Sequence, residues 1–229
     1  MKKVSSELAY VLAILILSFA VALTAAADFG VSMIAAPGYV LSLRFSALSL
    51  GECEYLIQSA LFVLFCILMR RFKPVYLASY LTCILYGAAL DAWRKVVPLL
   101  NPSVTPPGSF PMGWRLACFA GGVLLTALAV ALFFRVYLYP QVYDFFVKGI
   151  SARYRLNRDR FKIIFDFCCL CAACAETLIF FGKFRGVGIG TVVMTCVNGL
   201  LIGAFGKCLD RRFEFTPSFR RFSRYFELS

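Results

Sequence analysis

Three acidic side chains lie inside long apolar stretches and are the first candidates for chemistry. They are Asp91, Asp166 and Glu176, and the six most apolar stretches contain no other Asp, Glu, Lys or Arg. An ionisable residue within a bilayer is costly and is therefore a functional candidate. On one helix, Asp166 and Glu176 would lie about 80° apart in direction and about 15 Å apart along the axis. They cannot form one carboxylate pair, but they could be two steps of a proton or cation path.

Ion pairing is the alternative explanation for two of these acids. Lys162 precedes Asp166 by one helical turn, a spacing at which opposite charges interact. Arg94 follows Asp91 near the end of its stretch, and there we expect an ion pair at the interface. Glu176 is the deepest of the three acids and the strongest candidate for a functional role.

Uncharged polar residues add further candidates for a solute or ion pathway. Gln58 and Asn198 lie within apolar stretches, where an amide either contacts solute or joins helices. The run Gly186-Val-Gly-Ile-Gly190, followed by Thr191, could present backbone N–H groups to an anion at the start of a helix. Close helix packing is the competing interpretation. The run follows an apolar span rather than a β-strand, so it does not indicate a dinucleotide site.

Several kinds of chemistry find no support in the residue types. The chain has no histidine, which excludes Ser-His and Cys-His catalysis and histidine metal sites. Most of the ten cysteines lie in apolar stretches, where cysteine behaves as a small hydrophobic residue. We therefore expect no catalytic residues, no metal site and no cofactor, and the protein is not expected to be an enzyme.

The composition indicates what solvent surrounds these residues. Hydrophobic residues make up 61% of the chain and charged residues 16%, and the mean hydropathy is +0.81. Soluble domains are about 45–50% apolar and about 25% charged. The lengths of the six apolar stretches are close to the roughly 20 residues that cross a bilayer. The stretches are residues 9–27, 55–69, 75–92, 116–134, 163–181 and 187–206. We predict an all-α membrane helix bundle with six spans, and five spans are the alternative. The second stretch is short, but its span can begin near Gly51 if Glu52 and Glu54 lie at the membrane interface.

The basic residues predict the orientation of the spans. With six spans and a cytoplasmic N-terminus, three quarters of the 24 lysine and arginine residues lie inside. We therefore predict a multi-pass protein of the bacterial inner membrane with both termini in the cytoplasm. Lys2, Lys3 and the alanines at 25–27 imitate a cleaved signal peptide. We expect the first span to be retained, because a counterpart recurs later in the chain.

That counterpart is part of an internal repeat. The sequence Ala20-Val-Ala-Leu recurs as Ala129-Val-Ala-Leu, and Gln58 and Gly87 then correspond in order to Asp166 and Gly199. The predicted units are residues 1–100, a Pro/Gly-rich external linker at 101–114, residues 115–210 and a tail at 211–229. Each unit has three spans, so the second copy would be inverted relative to the first. Segments 28–54 and 136–162 are predicted to form short interfacial or re-entrant helices near Pro37 and Pro140.

The tail mixes cations with aromatic residues and predicts contact with anionic lipid headgroups. Its lipid-facing candidates are Arg211, Arg212, Arg220, Arg221 and Arg224. A simple topology signal explains them equally well. The excess of positive charge marks the cytoplasmic face, so we expect no nucleic-acid partner.

The chain also resembles a known group of proteins. Tyr39-Val-Leu-Ser-Leu, Arg71-Phe-Lys-Pro, Phe161-Lys-Ile-Ile-Phe-Asp and Gly186-Val-Gly-Ile-Gly-Thr resemble the YczE-like (YitT/YyaS-related) bacterial integral membrane proteins. The resemblance runs from about residue 20 to residue 203. It implies a bacterial inner-membrane protein with duplicated spans and no assigned function. Gln58 stands where the family pattern has asparagine, and the cysteines at 168–174 stand where it has aliphatic or small residues.

The inverted repeat and the acids within spans favour a transporter of an unidentified small solute, coupled to protons or cations. The alternative is an accessory or regulatory protein that contacts a partner membrane complex through its helices and tail. A homo-oligomer is compatible with either function.

Overall fold

The computed structural model describes residues 2–70 and 72–218, which contain eight α-helices. Six helical segments are long and apolar enough to cross a membrane. They are α1 (Ser6–Ala27), α3 (Leu50–Met69), Pro74–Val96 (a single 3₁₀ turn followed by α4, Leu77–Val96), α5 (Met112–Phe133), α7 (Arg158–Phe181) and α8 (Ile189–Arg212). These are the six spans predicted from hydropathy, each with shifted ends.

Two shorter helices lie in the segments that connect the first and second spans of each half. They are α2 (Ala36–Arg44), with Pro37 in its first turn, and α6 (Val142–Tyr154), which begins after Pro140. Proline fits a helix start because the first N–H groups have no partner within the helix. The order of long helix, short helix, long helix, long helix therefore occurs twice.

Capping interactions explain why α3 begins earlier than hydropathy alone indicates. The Ser49 hydroxyl accepts from the Glu52 N–H, and the Glu52 carboxylate accepts from the Ser49 N–H. Asp91 of α4 joins this cap by accepting from the Ser49 hydroxyl and from the Gly51 N–H. Among the described residues, Asp91 makes no ion pair with Arg94 within 4 Å, and its carboxylate tethers the start of α3 to α4.

Small residues let the long helices approach closely at the centre of the bundle. The central helix α1 packs against α4 and α5, and α5 packs against α8. A Cβ atom added to Gly122 of α5 would lie 2.6 Å from the Thr24 methyl group of α1. Such close approach of small residues is how helices associate in a bilayer.

A short parallel sheet joins the two ends of the described chain. Strand β1 (Lys2–Ser5) pairs with β2 (Phe213–Thr216), immediately after α8 ends. Both ends of the described chain therefore lie at the same end of the bundle. The prediction of helices alone missed this sheet. Arg211 and Arg212 form the exposed last turn of α8, whereas Arg220, Arg221 and Arg224 lie outside the described residues.

Candidate functional site

A cavity of about 720 Å³ lies inside the bundle, within the size range of small-molecule sites. Its wall draws on both halves of the chain. Besides many apolar side chains it includes the polar residues Glu54, Thr126, Gln141, Tyr143, Asp144, Lys162, Asp166 and Asn198. The segments that precede α2 and α6 contribute to this wall as well, through residues 32–35, 136–138, 140 and 141.

Glu54 is the most deeply buried acid of this wall, with 1% of its surface exposed. Its Oε2 atom accepts from the Tyr143 hydroxyl at 3.1 Å and from Gln58 Nε2 at 3.4 Å. Its Oε1 atom has no hydrogen-bond partner. The sequence suggested Glu54 as an interfacial acid at the start of the second span, and the structure shows that its side chain is buried because α2 and α6 cover this part of α3.

The first turns of both short helices meet α3 here. A Cβ atom on Gly38 of α2 would lie 2.8 Å from Glu54 Oε1, so glycine permits the contact. On the other side, the Val142 N–H at the start of α6 donates to Gln58 Oε1 at 3.2 Å. The N-terminal end of a helix carries a partial positive charge, which favours an acidic group beside it.

The second short helix enters and leaves the bundle at the same end. It starts beside Gln58, near the middle of α3, and the Tyr154 hydroxyl in its last turn donates to the Leu68 carbonyl near the end of α3. Residues 134–157 are therefore re-entrant in the bundle. This geometry brings Tyr143 to Glu54. Burial, followed by the charge of Glu54, raises the pKa of Tyr143 well above its ordinary value, so Tyr143 remains a neutral hydroxyl donor.

A second polar group lies on the α7 side of the cavity. Lys162 Nζ lies 3.1 Å from Asp144 Oδ1 of α6 and 3.0 Å from Asp166 Oδ1 of α7. The predicted pairing of Lys162 with Asp166 is confirmed, and Asp144 is an additional partner. One cation therefore serves two carboxylates.

Several buried polar atoms of the cavity wall have no protein partner. They are Glu54 Oε1, Thr126 Oγ1, Gln141 Nε2 and Asn198 Oδ1. Burying a polar atom without a hydrogen bond is costly. Their collection around one cavity is suited to binding a polar group of a solute, or water.

The predicted site residues divide into two sets. Asp166 and Asn198 line the cavity, and Gln58 lies behind Glu54. Glu176 lies on α7 outside the lining, half-buried, with its Oε2 atom unpartnered. Asp91 is likewise outside the lining and caps α3.

The glycine run at the start of α8 serves close packing. The Gly190 N–H donates to the Phe29 carbonyl at 2.9 Å, so it is not available to an anion. Thr191 is fully buried, and a Cβ atom on Gly30 would meet its hydroxyl at 2.4 Å. The anion interpretation of Gly190 and Thr191 is therefore replaced by a tight contact with the loop after α1.

Glu54, Tyr143 and Gln141 were not singled out by sequence reasoning. One signal was present: Glu54 and Gln58 are one turn apart on α3, as Lys162 and Asp166 are on the corresponding span α7. Within the described ranges, no group of three His, Cys, Asp or Glu side chains could hold a metal ion.

Six apolar helices that enclose a polar cavity define a multi-pass helical membrane protein. The chain belongs to the family of unknown function DUF6198, whose model matches residues 4–207. It is also 28% identical over 211 residues to the uncharacterized protein YyaS of Bacillus subtilis (strain 168), covering 89% of this chain and 94% of that one. No solved structure matches the chain.

Proposed function

We propose that the protein transports a small solute across the bacterial inner membrane and that the Glu54 carboxyl group exchanges protons or cations during transport. The observation that carries this proposal is a cavity between the two halves of the chain, with Glu54 in its wall. Substrate sites between repeated units and beside short, interrupted helices are typical of secondary transporters.

Inverted three-span repeats form part of the proposal, as does the relationship to YczE-like proteins. Three parallels support the repeats. Each half has the same helix order, α1 packs on α4 as α5 packs on α8, and each short helix contacts both α3 and α7. We further propose that both termini are cytoplasmic, which is supported by the basic residues and by the β1–β2 pairing.

Proteoliposomes provide the test of transport. A library of small solutes is screened for uptake driven by an imposed proton or sodium gradient. Glu54→Gln should abolish the gradient-dependent part of any uptake found, because glutamine keeps the shape of the side chain but cannot exchange a proton. Glu214→Gln, an exposed change on β2, is the control for lost charge. Full gradient-driven uptake by Glu54→Gln would refute the coupling role.

An accessory role with a partner membrane complex is the competing proposal. It is favoured by the anchoring of the described part of the tail, because the Ser218 N–H donates to the Glu7 carboxylate. Truncation after Ser218 separates the two functions. Loss of the cellular phenotype with intact uptake in proteoliposomes would support the accessory role, whereas a truncated protein that retains the phenotype supports transport alone.

A further inference from the structure

The cavity is lined by residues of both α7 and α8. These two helices are consecutive in the chain, yet among the described residues they make almost no backbone contact, whereas α3 and α4 pack closely. Ile163 of α7 and Gly199 of α8 line the cavity from the two sides of this gap. Ile163 is 68% exposed, and a Cβ atom on Gly199 would meet nothing within 4 Å. We call the gap between α7 and α8 at these residues the lateral slot.

The slot is at the depth of lipid chains. Gly199 is ten residues after the start of α8 at Ile189, so it lies about 15 Å along a helix long enough to span a bilayer. The hydrocarbon core of a bilayer is about 30 Å thick. Ile163 is five residues after the start of α7 at Arg158, about 7.5 Å along that helix, so the slot extends from near one end of the span toward its middle. An opening that reaches this depth admits molecules dissolved in the membrane.

The interior of the cavity indicates which end of such a molecule binds. Glu54 has an unpartnered oxygen, and among the described residues no lysine or arginine lies within 4 Å of its carboxylate. Lys162 is already shared by Asp144 and Asp166. The charged residues of the whole lining are four acids and three cations, namely Glu54, Asp144, Asp159 and Asp166 against Lys148, Arg158 and Lys162. The acids exceed the cations by one, and a buried carboxylate favours a positively charged donor.

The remaining wall suits an apolar chain. Met33, Ile34, Val130, Met194 and Ile202 line the cavity together with the polar residues. A ligand with a cationic head and an aliphatic tail could place its head at Glu54 while its tail extends past Asn198 toward the slot.

We propose that the cavity binds amphiphilic amines, which enter from the bilayer through the lateral slot between α7 and α8 and place the ammonium group at Glu54. This inference rests on the proposed transport function and names its substrate class and its route. It concerns binding, and binding can be measured without flux.

Photolabelling of the full-length protein in phosphatidylcholine nanodiscs tests the inference. The probe is a long-chain alkylamine with a diazirine in its tail, and labelled peptides of α7 and α8 are quantified by mass spectrometry. We expect excess nonylamine to reduce labelling at least tenfold, and methylammonium at the same concentration to leave it unchanged. The matching diazirine fatty acid should label these peptides at least tenfold less. Equal labelling by the acid, or competition by methylammonium, would overturn the substrate class.

Two glycines one turn apart on α8 provide a matched test of the route. Gly199 and Gly203 both have open space where a Cβ atom would stand, but only Gly199 lines the cavity. Gly199→Phe should reduce amine labelling about tenfold, and Gly203→Phe should label like the unmodified protein. Equal effects of the two variants would show that the amine does not enter through the lateral slot. The oligomeric state of both variants is measured as well. If the unmodified protein is a dimer and only Gly199→Phe converts it to a monomer, a second copy covers the gap, and the proposed entry route is wrong.

The Glu54→Gln variant tests the position of the head and should lower amine labelling about tenfold. If it does not give a cooperative thermal transition, Glu54→Asp replaces it, because the shorter side chain draws the carboxyl group back from the ligand, and unchanged labelling would contradict the placement. If nonylamine still competes with the labelling but no solute is taken up in proteoliposomes, the proposed transport function is wrong and the binding site stands.

Discussion

The hydroxyl group of Tyr143 on α6 donates to the carboxyl group of Glu54 on α3, across 89 positions of sequence. This contact connects the re-entrant helix of the second half to a span of the first. It leaves the other carboxyl oxygen of Glu54 without a hydrogen-bond partner. The cavity therefore depends on how the two halves are joined.

Tyr143→Phe should destabilise the protein by about 1–3 kcal/mol, because it removes a donor and leaves both Glu54 oxygens without a hydroxyl partner. Thermal unfolding in nanodiscs, followed by intrinsic fluorescence, measures the change. Tyr154→Phe is the matched control, since its exposed hydroxyl bonds only to the Leu68 carbonyl. A melting temperature for Tyr143→Phe equal to that of Tyr154→Phe would show that the hydroxyl contributes nothing.

Lys162→Met should destabilise the protein more than either Asp144→Asn or Asp166→Asn does. Removing the lysine leaves two carboxylates facing one another without a cation, whereas removing one acid leaves an ordinary ion pair. We expect a loss of about 1–2 kcal/mol, less than for a fully buried pair because these side chains are 19–30% exposed. Lys183→Met, in the loop after α7, is the control. The three variants are compared by melting temperature, and equal losses for the lysine and each acid would contradict the shared-cation arrangement.

The six long helices could be predicted because hydropathy is a local property of about 20 consecutive residues. The caps of α3 were less visible, since Asp91 reaches Ser49 and Gly51 from another helix. The site was predictable in part: Asp166 and Asn198 are polar residues within spans and do line the cavity.

Glu54 could not be predicted in the same way. Four residues inside the start of a span, it has the sequence position of an interfacial acid, and its burial depends on two helices elsewhere in the chain. Glu176 shows the converse difference between sequence position and structure, because it lies outside the cavity lining. Its position near the middle of a hydrophobic stretch suggested a deep site, but sequence does not reveal which face of α7 lines the cavity.

Glu176→Gln should leave solute uptake and its gradient dependence within twofold of the unmodified protein, because Glu176 is outside the cavity lining. Asn198→Leu should reduce uptake at least tenfold, since it removes a polar group from the wall. Both variants are compared in the proteoliposome assay at matched reconstitution levels. Loss of coupling in Glu176→Gln, with Asn198→Leu unaffected, would shift the pathway away from the cavity to the outer face of α7.

Glu7→Ala should loosen the sheet that joins the two ends of the chain. The Glu7 carboxylate accepts from the Ser5 hydroxyl, the Tyr137 hydroxyl and the Ser218 N–H, so one side chain connects β1, the re-entrant segment and the second residue after β2. We expect amide hydrogen exchange of residues 213–218 to accelerate at least tenfold, while exchange in the middle of α1 stays unchanged. Glu214→Ala, whose side chain is exposed on β2, is the control. Equal exchange in both variants would mean that backbone pairing alone holds the strand.

The loops at Ser109 and Asn157 should lie on opposite sides of the membrane. Gly108 N–H donates to the Ala26 carbonyl at the end of α1, whereas Asn157 caps the start of α7, beyond the end of α6 that contacts Leu68. Because β1 and β2 bring the two termini to one end of the bundle, Asn157 should share their side and Ser109 should not. Fusions of alkaline phosphatase and of green fluorescent protein after each residue test this: phosphatase activity is expected after Ser109, and fluorescence after Asn157. Fusions that report the same side for both loops would contradict the six-span topology and the inverted repeat with it.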